Sequence, residues 1–108
     1  MKRGDVVPVS LPGDYGKPRP AVVIQSDYFA DHPSVTLLPI TSALVPGAPL
    51  LRLRLDPDGE NGLRKPSQVM IDKASTLPRD KVGEPFGRLD DDAMLGITRA
   101  LAVFLGIA

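Results

Sequence analysis

The chain of 108 residues is the size of one domain, and its 43% hydrophobic and 24% charged content fits a folded protein rather than a disordered one. Thirteen basic residues balance thirteen acidic ones, which excludes the bulk positive footprint of a sequence-indifferent nucleic-acid binder and leaves only local basic patches. There is no cysteine, and Met1-Lys2-Arg3 runs into Asp5 and Pro8 without a long apolar stretch, so disulfides, thiol chemistry, a signal peptide and a membrane span are not expected, and the cytoplasm is.

Twelve prolines are spread from Pro8 to Pro85 and none follows, so a β-rich body ending in a helix is expected. Asp5 to Leu11 reads as a first strand with Val7, Val9 and Leu11 on one face and Pro8 at an edge or bulge. The Gly- and Pro-dense segment from Leu11 to Pro20 reads as a stiff loop, with Arg19 at its end. Ala21-Val22-Val23-Ile24-Gln25 is a short apolar run rich in β-branched residues, which predicts a strand covered on both faces in mid-sheet.

Beyond a polar loop holding His32 and Pro33, Val35 to Ile40 predicts a third strand that ends at the hydroxyls of Thr41 and Ser42. Leu51-Arg52-Leu53-Arg54-Leu55 alternates strictly, which buries one face and lifts two guanidinium groups into solvent. Asp56 to Gly62 is a turn region, Ser67 to Asp72 a further strand, and Phe86 to Leu89 a short one. From Asp90 to Gly106 the period changes to a helical one, with Met94, Ile97, Leu101, Phe104 and Leu105 on one face. Asp90, Asp91 and Asp92 then cap free N–H groups and face the positive end of the helix dipole, which explains the acidic run without a metal. No repeat appears, so the expected architecture is mainly β: five to seven short strands in a small, partly open barrel closed by a C-terminal amphipathic helix, all one domain over 1–108.

The segments Arg3-Gly4-Asp5-Val6-Val7, Gly16-Lys17-Pro18-Arg19-Pro20-Ala21-Val22-Val23-Ile24-Gln25 and Leu38-Pro39-Ile40-Thr41-Ser42, in that order, resemble the MazF/PemK family of toxin endoribonucleases. Asn61-Gly62-Leu63, Ser67 to Asp72, Ser75-Thr76-Leu77 and Leu89-Asp90-Asp91 extend the resemblance over nearly the whole chain. The resemblance implies a barrel of the Src-homology-3 type working as a homodimer with two grooves along the dimer face. It also implies a cognate MazE-like antitoxin whose disordered C-terminal segment blocks the groove, and DNA binding by the toxin–antitoxin complex. The implied reaction cleaves single-stranded RNA at a short sequence, without metal or cofactor, through attack of the 2′-hydroxyl on the adjacent phosphate. A cyclic phosphate and a free 5′-hydroxyl result.

Such chemistry needs a cation beside the phosphorane, an acceptor for the 2′ proton and a donor to the leaving oxygen. Arg19 matches the family's catalytic arginine, and a guanidinium between two prolines is preorganised to fork onto phosphate oxygens. Thr41 matches the catalytic threonine, with Ser42 alongside it as either a second phosphate donor or a simple strand-end hydroxyl. For the base, Asp72 matches an aspartate of the PemK branch, although Met70 stands where that branch carries arginine, and Asp14 lies five residues before Arg19, where some members carry glutamate. Lys17, Arg52, Arg54, Arg64 and Gln68 are the expected RNA-binding set, the alternative for Arg52, Arg54 and Arg64 being an ordinary wet surface, and Lys65 faces the same choice as Arg64. Tyr15, Tyr28 and Phe29 are aromatic side chains able to stack on unpaired bases, and His32 reads as a solvated loop residue. Two rival functions remain: a gyrase-poisoning toxin of the CcdB kind, which shares the fold class and does no chemistry, and a silent small-barrel binding module.

Overall fold

The structure is a computed structural model that describes residues 1–11, 13 and 17–107. Seven strands follow in chain order: β1 (Asp5–Val9), β2 (Arg19–Val23), β3 (Ser34–Thr41), β4 (Arg52–Leu55), β5 (Ser67–Met70), β6 (Ser75–Pro78) and β7 (Gly87–Arg88); the helix α1 (Asp91–Leu105) closes the chain. All pairings are antiparallel, in the order β4-β5-β3-β2-β1-β7. The long strand β3 is the pivot of the curl. Its first half, Ser34 to Leu37, pairs with β6, and its end, Ile40 and Thr41, pairs with β5, while β2 runs along its other edge.

Two cores result, one on each face of β1, β2 and β3. Val6, Val22, Leu38 and Ile40 join Leu55, Val69, Ile71, Leu89 and Ile97 on one side, and Val7, Val9, Ala21, Val23, Val35 and Leu37 pack together on the other. The predicted two-sided burial of β2 is therefore observed: Ala21, Val22 and Val23 are at most 3% exposed. Strand β1 departs from its expected one-sided alternation, because Val6 is as buried as Val7. Nor is β1 an edge strand. It lies between β2 and β7, and Pro8 sits opposite Pro20, where neither ring nitrogen can donate to the ladder.

Strand β2 begins two residues before its expected start, since Val9 pairs with Arg19 and Pro8 with Pro20. Arg19 thus stands on a strand rather than in the preceding loop. At the other end the N–H groups of Ile24 and Gln25 both donate to the carbonyl of Thr36, a bulge-like sharing that ends the regular ladder. The expected strand from Ser67 to Asp72 stops at Met70, and Ile71–Lys73 turns as a 3₁₀ helix that moves Asp72 off the sheet. Strand β6 was not expected as a strand from the sequence. Its four residues are only partly covered, and their hydrophobic alternation is too short to register.

The helix is capped as expected: the Asp90 carboxylate accepts from the N–H of Ala93 at 2.8 Å, with Asp91 and Asp92 in the first turn. Gly106, at φ +74°, ends it in the left-handed conformation, and the N–H of Ile107 reaches back to the carbonyl of Ala102 at 2.9 Å. The buried face differs from the expected one in its last turn. Ala93, Met94, Ile97, Ala100 and Leu101 meet the core, whereas Phe104 and Leu105 overrun the sheet and are about half exposed.

Candidate functional site

Arg19 stands at the junction of two lobes of a cleft cut across the ends of β2, β3 and β5. The larger lobe, about 390 Å³, is bordered by Pro18, Pro20, Ser42, Leu63, Arg64, Lys65 and Phe86; the smaller, about 240 Å³, by Leu11, Pro39, Thr41 and Met70. Arg19 and Ile40 line both. Extending the β2–β3 register by two residues beyond the Ala21–Pro39 pair sets Arg19 opposite Thr41. The consecutive hydroxyls of Thr41 and Ser42 serve different lobes, as the alternation at a strand end dictates. Thr41 Oγ1 accepts from the N–H of Ala43 at 3.0 Å, which fixes the hydroxyl and leaves its proton available to a ligand.

The rim is held by loops that spend their own polar groups on shape. Gln68, paired with Thr41 across the β3–β5 ladder, accepts from the N–H of Val45 at 2.9 Å and donates to its carbonyl at 3.2 Å, so its amide ties down the segment after Ser42. In the turn after β4 the Asp58 carboxylate accepts from the N–H groups of Glu60 and Asn61, each at 2.9 Å, and these two bonds hold its pKa below the ordinary value. The buried Asn61 side chain donates to the carbonyl of Asp56 and accepts from the N–H of Leu63. This bracing places Leu63, Arg64 and Lys65 on the larger lobe.

Arg52 does not rise into solvent as its alternation predicted. It lies on β4 opposite Met70, is 15% exposed at its side chain, and forms an ion pair with Asp72, whose own side chain is 23% exposed. The turn after Met70 explains the difference, because it carries Asp72 over the guanidinium. Arg52 also donates to the carbonyl of Leu51 at 2.9 Å, while its buried Nε has no partner among the described residues. Burial pushes the Asp72 carboxyl up, but the hydrogen bond and charge of Arg52, a backbone bond and Lys73 outweigh it, and its pKa is lowered. Arg54 is exposed and pairs with Asp56 at 3.1 Å.

The structure therefore gathers Arg19, Thr41, Ser42 and Arg64 around one cleft, ties Gln68 to the segment after Ser42, and places the Asp72–Arg52 pair beside Met70, which lines the smaller lobe. Lys17 is exposed directly before Pro18. Asp14 and Tyr15 lie outside the described residues. Tyr28 and Phe29 stack edge-to-face on each other at 5.0 Å, and neither lines either lobe. Among the described residues the aromatic lining the cleft is Phe86, which the sequence places in a short strand without singling it out; Leu63 belongs to the family-like Asn61-Gly62-Leu63 segment, and Lys65 lines the larger lobe beside Arg64, with which it shared the choice between a phosphate-tracking rail and an ordinary wet surface. His32 is an exposed loop residue, with Nδ1 accepting from the N–H of Ser34 at 3.0 Å.

Residues 2–105 match the family described as PemK-like, MazF-like toxins of type II toxin–antitoxin systems. The chain belongs to this family. It is 46% identical over 109 residues to a curated protein of Mycolicibacterium smegmatis named "Probable endoribonuclease MazF", covering 100% of this chain and 99% of that one. Among solved structures, the toxin MazF-mt6 of Mycobacterium tuberculosis superposes with a TM-score of 0.80 at 23% identity, covering 96% of this chain and 98% of the other. A MazE–MazF structure from Deinococcus radiodurans superposes at 0.79 with 20% identity, covering 100% and 98%. At those identities the two structures establish the fold, a curled, partly open barrel with one C-terminal helix. No described helix is long and apolar enough to cross a membrane.

Proposed function

We propose that this chain is the toxin of a type II toxin–antitoxin system and a cytoplasmic, metal-independent endoribonuclease that cuts single-stranded RNA within a short recognition sequence. The observation that carries this reading is Arg19, a cation on a fixed strand at the meeting point of two lobes, with Thr41 and Ser42 on either side. A guanidinium there can span the two non-bridging oxygens of a phosphate while a nucleotide enters each lobe. The RNA's 2′-oxygen attacks phosphorus and the bond to the 5′-oxygen breaks, leaving a 2′,3′-cyclic phosphate and a 5′-hydroxyl. Arg19 stabilises the charge that builds on the phosphorane and donates the proton taken up by the leaving oxygen, and Thr41 and Ser42 orient the phosphate.

The 2′ proton passes to a carboxylate, Asp72 or Asp14. The lowered pKa keeps Asp72 anionic at neutral pH but makes it a weak acceptor, so its pairing with Arg52 suits it to a supporting electrostatic role. Lys17, Arg64 and Lys65 carry the strand's phosphates along the rim. The exposed apolar residues Leu50, Val103, Phe104, Leu105 and Ile107 support a homodimer, and a MazE-like antitoxin with a disordered C-terminal segment covers the cleft.

The test is incubation of the purified protein with defined single-stranded RNA in excess chelator, mapping cut positions and end groups. Sequence-specific cuts with cyclic phosphate ends are the expected result. No cutting across a broad range of sequences overturns the nuclease reading and directs attention to gyrase binding.

A further inference from the structure

Phe86 stands out in the larger lobe. The residue is 44% exposed, and it is the aromatic residue among the described cleft residues. Its backbone is fixed from several sides: its own N–H donates to the carbonyl of Val6 at 2.9 Å, and close behind it the N–H groups of Arg88 and Leu89 donate to the carbonyls of Glu60 and Gly4, each at 2.9 Å. One edge of the ring lies against Gly62, where φ is +72° and a Cβ would come within 2.6 Å of Phe86 Cδ2 and 2.7 Å of the Phe86 carbonyl oxygen. A Cβ on Gly87 would meet the carbonyl oxygen of Asn61 at 2.2 Å. The two glycines let the turn after β4 close onto Phe86, so the ring is held on one side and open to the cleft on the other.

A large apolar ring left half exposed among Arg64, Lys65 and the Arg19 junction contributes little to the core. A rigid aromatic beside cations is what an unpaired nucleobase requires: a surface to stack on, with its phosphates neutralised nearby. We propose that Phe86 is the stacking platform for a base flanking the scissile phosphate, and so sets base preference at that position, with Gly62 and Gly87 as the residues that hold it. The inference rests on the RNA-cutting reading and adds a specificity residue to it.

The experiment digests a pool of single-stranded RNA with a randomised central segment, using the full chain and its Phe86→Ala, Phe86→Leu and Phe86→Tyr variants. Rates, the base distribution around the cut and melting temperature are read for each. Leu fills much of the same volume without a π face, and Tyr keeps the face. The expected result is a loss in kcat/KM of roughly 5- to 100-fold in Ala and Leu, mostly through KM, the range that one stacked base commands. The base distribution should flatten at one position beside the cut, and Tyr should restore both. Parental rate and distribution in Phe86→Leu overturn the platform while leaving the nuclease intact, as does equal damage in Leu and Tyr. If the parent itself cuts no RNA, the nuclease reading fails and this one falls with it.

Discussion

Arg19 and Arg52 are both strand arginines near the same end of the sheet, yet their surroundings give them opposite tasks. Arg19 is the exposed first residue of β2, between two prolines, facing a cleft. Arg52 is the first residue of β4, mostly covered, and matched by Asp72. A guanidinium covered by the turn that carries its carboxylate partner is committed to the fold, whereas one at the junction of two lobes faces the space that a phosphate would enter. The contrast shows that position on a strand says little about an arginine's use. What decides is where the fold aims it: Arg52 under the turn that carries Asp72, Arg19 onto the cleft.

The sharpest way to break this contrast is at Arg19. Arg19→Ala should lower kcat/KM on RNA by roughly 100- to 1,000-fold, the scale of losing one preorganised donor worth about 3–4 kcal/mol, with the melting temperature read beside it to show that the variant is folded. Arg19→Lys should recover little, since a point charge cannot fork onto two oxygens. A folded Arg19→Ala that cuts at the parental rate would move the chemistry elsewhere.

Removing Asp72 should act first on stability. Asp72→Asn should cost roughly 1–3 kcal/mol in denaturant unfolding at pH 7, because Arg52 loses a charged partner while staying mostly covered. The sign with pH follows from the lowered folded pKa: the carboxylate's contribution is full above the unfolded value, near 3.8, and disappears as pH falls through the lower folded value. The gap between parent and variant should therefore be largest at neutral pH and close in acid. A gap that widens on acidification would contradict the ion pair. The same variant, beside Asp14→Asn, identifies the proton acceptor: whichever change removes the acid limb of the pH–rate profile is the base.

Strand existence was legible wherever burial imposed a pattern, as in the continuous apolar run of β2 and the alternation of β4. What escaped was set by partners far away in sequence. The sequence from Ser67 to Asp72 reads as one strand, and nothing local announces that it turns at Ile71 and hands Asp72 to Arg52, twenty residues upstream. Phe86 gave no signal because its exposure depends on a glycine turn twenty-four residues before it. Arg19, Thr41 and Ser42 came from a motif and not from periodicity, and the fold brings them to one cleft through the β2–β3 register. The helix was read nearly whole because its cap is local. Asp90→Ala should cost about 1 kcal/mol of stability and leave cutting untouched, measured by denaturant unfolding beside an RNA assay.

The smallest expected effect separates two surface arginines that look alike in sequence. Arg54 is already paired with Asp56 at 3.1 Å on the open face of β4, while Arg64 borders the larger lobe beside Lys65. An exposed ion pair contributes under about 1 kcal/mol, so neither Arg54→Gln nor Arg64→Gln should shift unfolding by more than about 0.5 kcal/mol. Their RNA affinities should diverge with salt. Each phosphate neutralised on a single strand adds about 0.7 to the slope of log K against log salt, so Arg64→Gln should flatten that slope by about 0.7 and Arg54→Gln should leave it unchanged. Binding to an RNA carrying 2′-deoxy sugars, which lacks the attacking hydroxyl and cannot be cut, gives the slopes without cleavage. If Arg54 rather than Arg64 carries the change, the strand runs across the β4 face and the path inferred from the cleft is wrong.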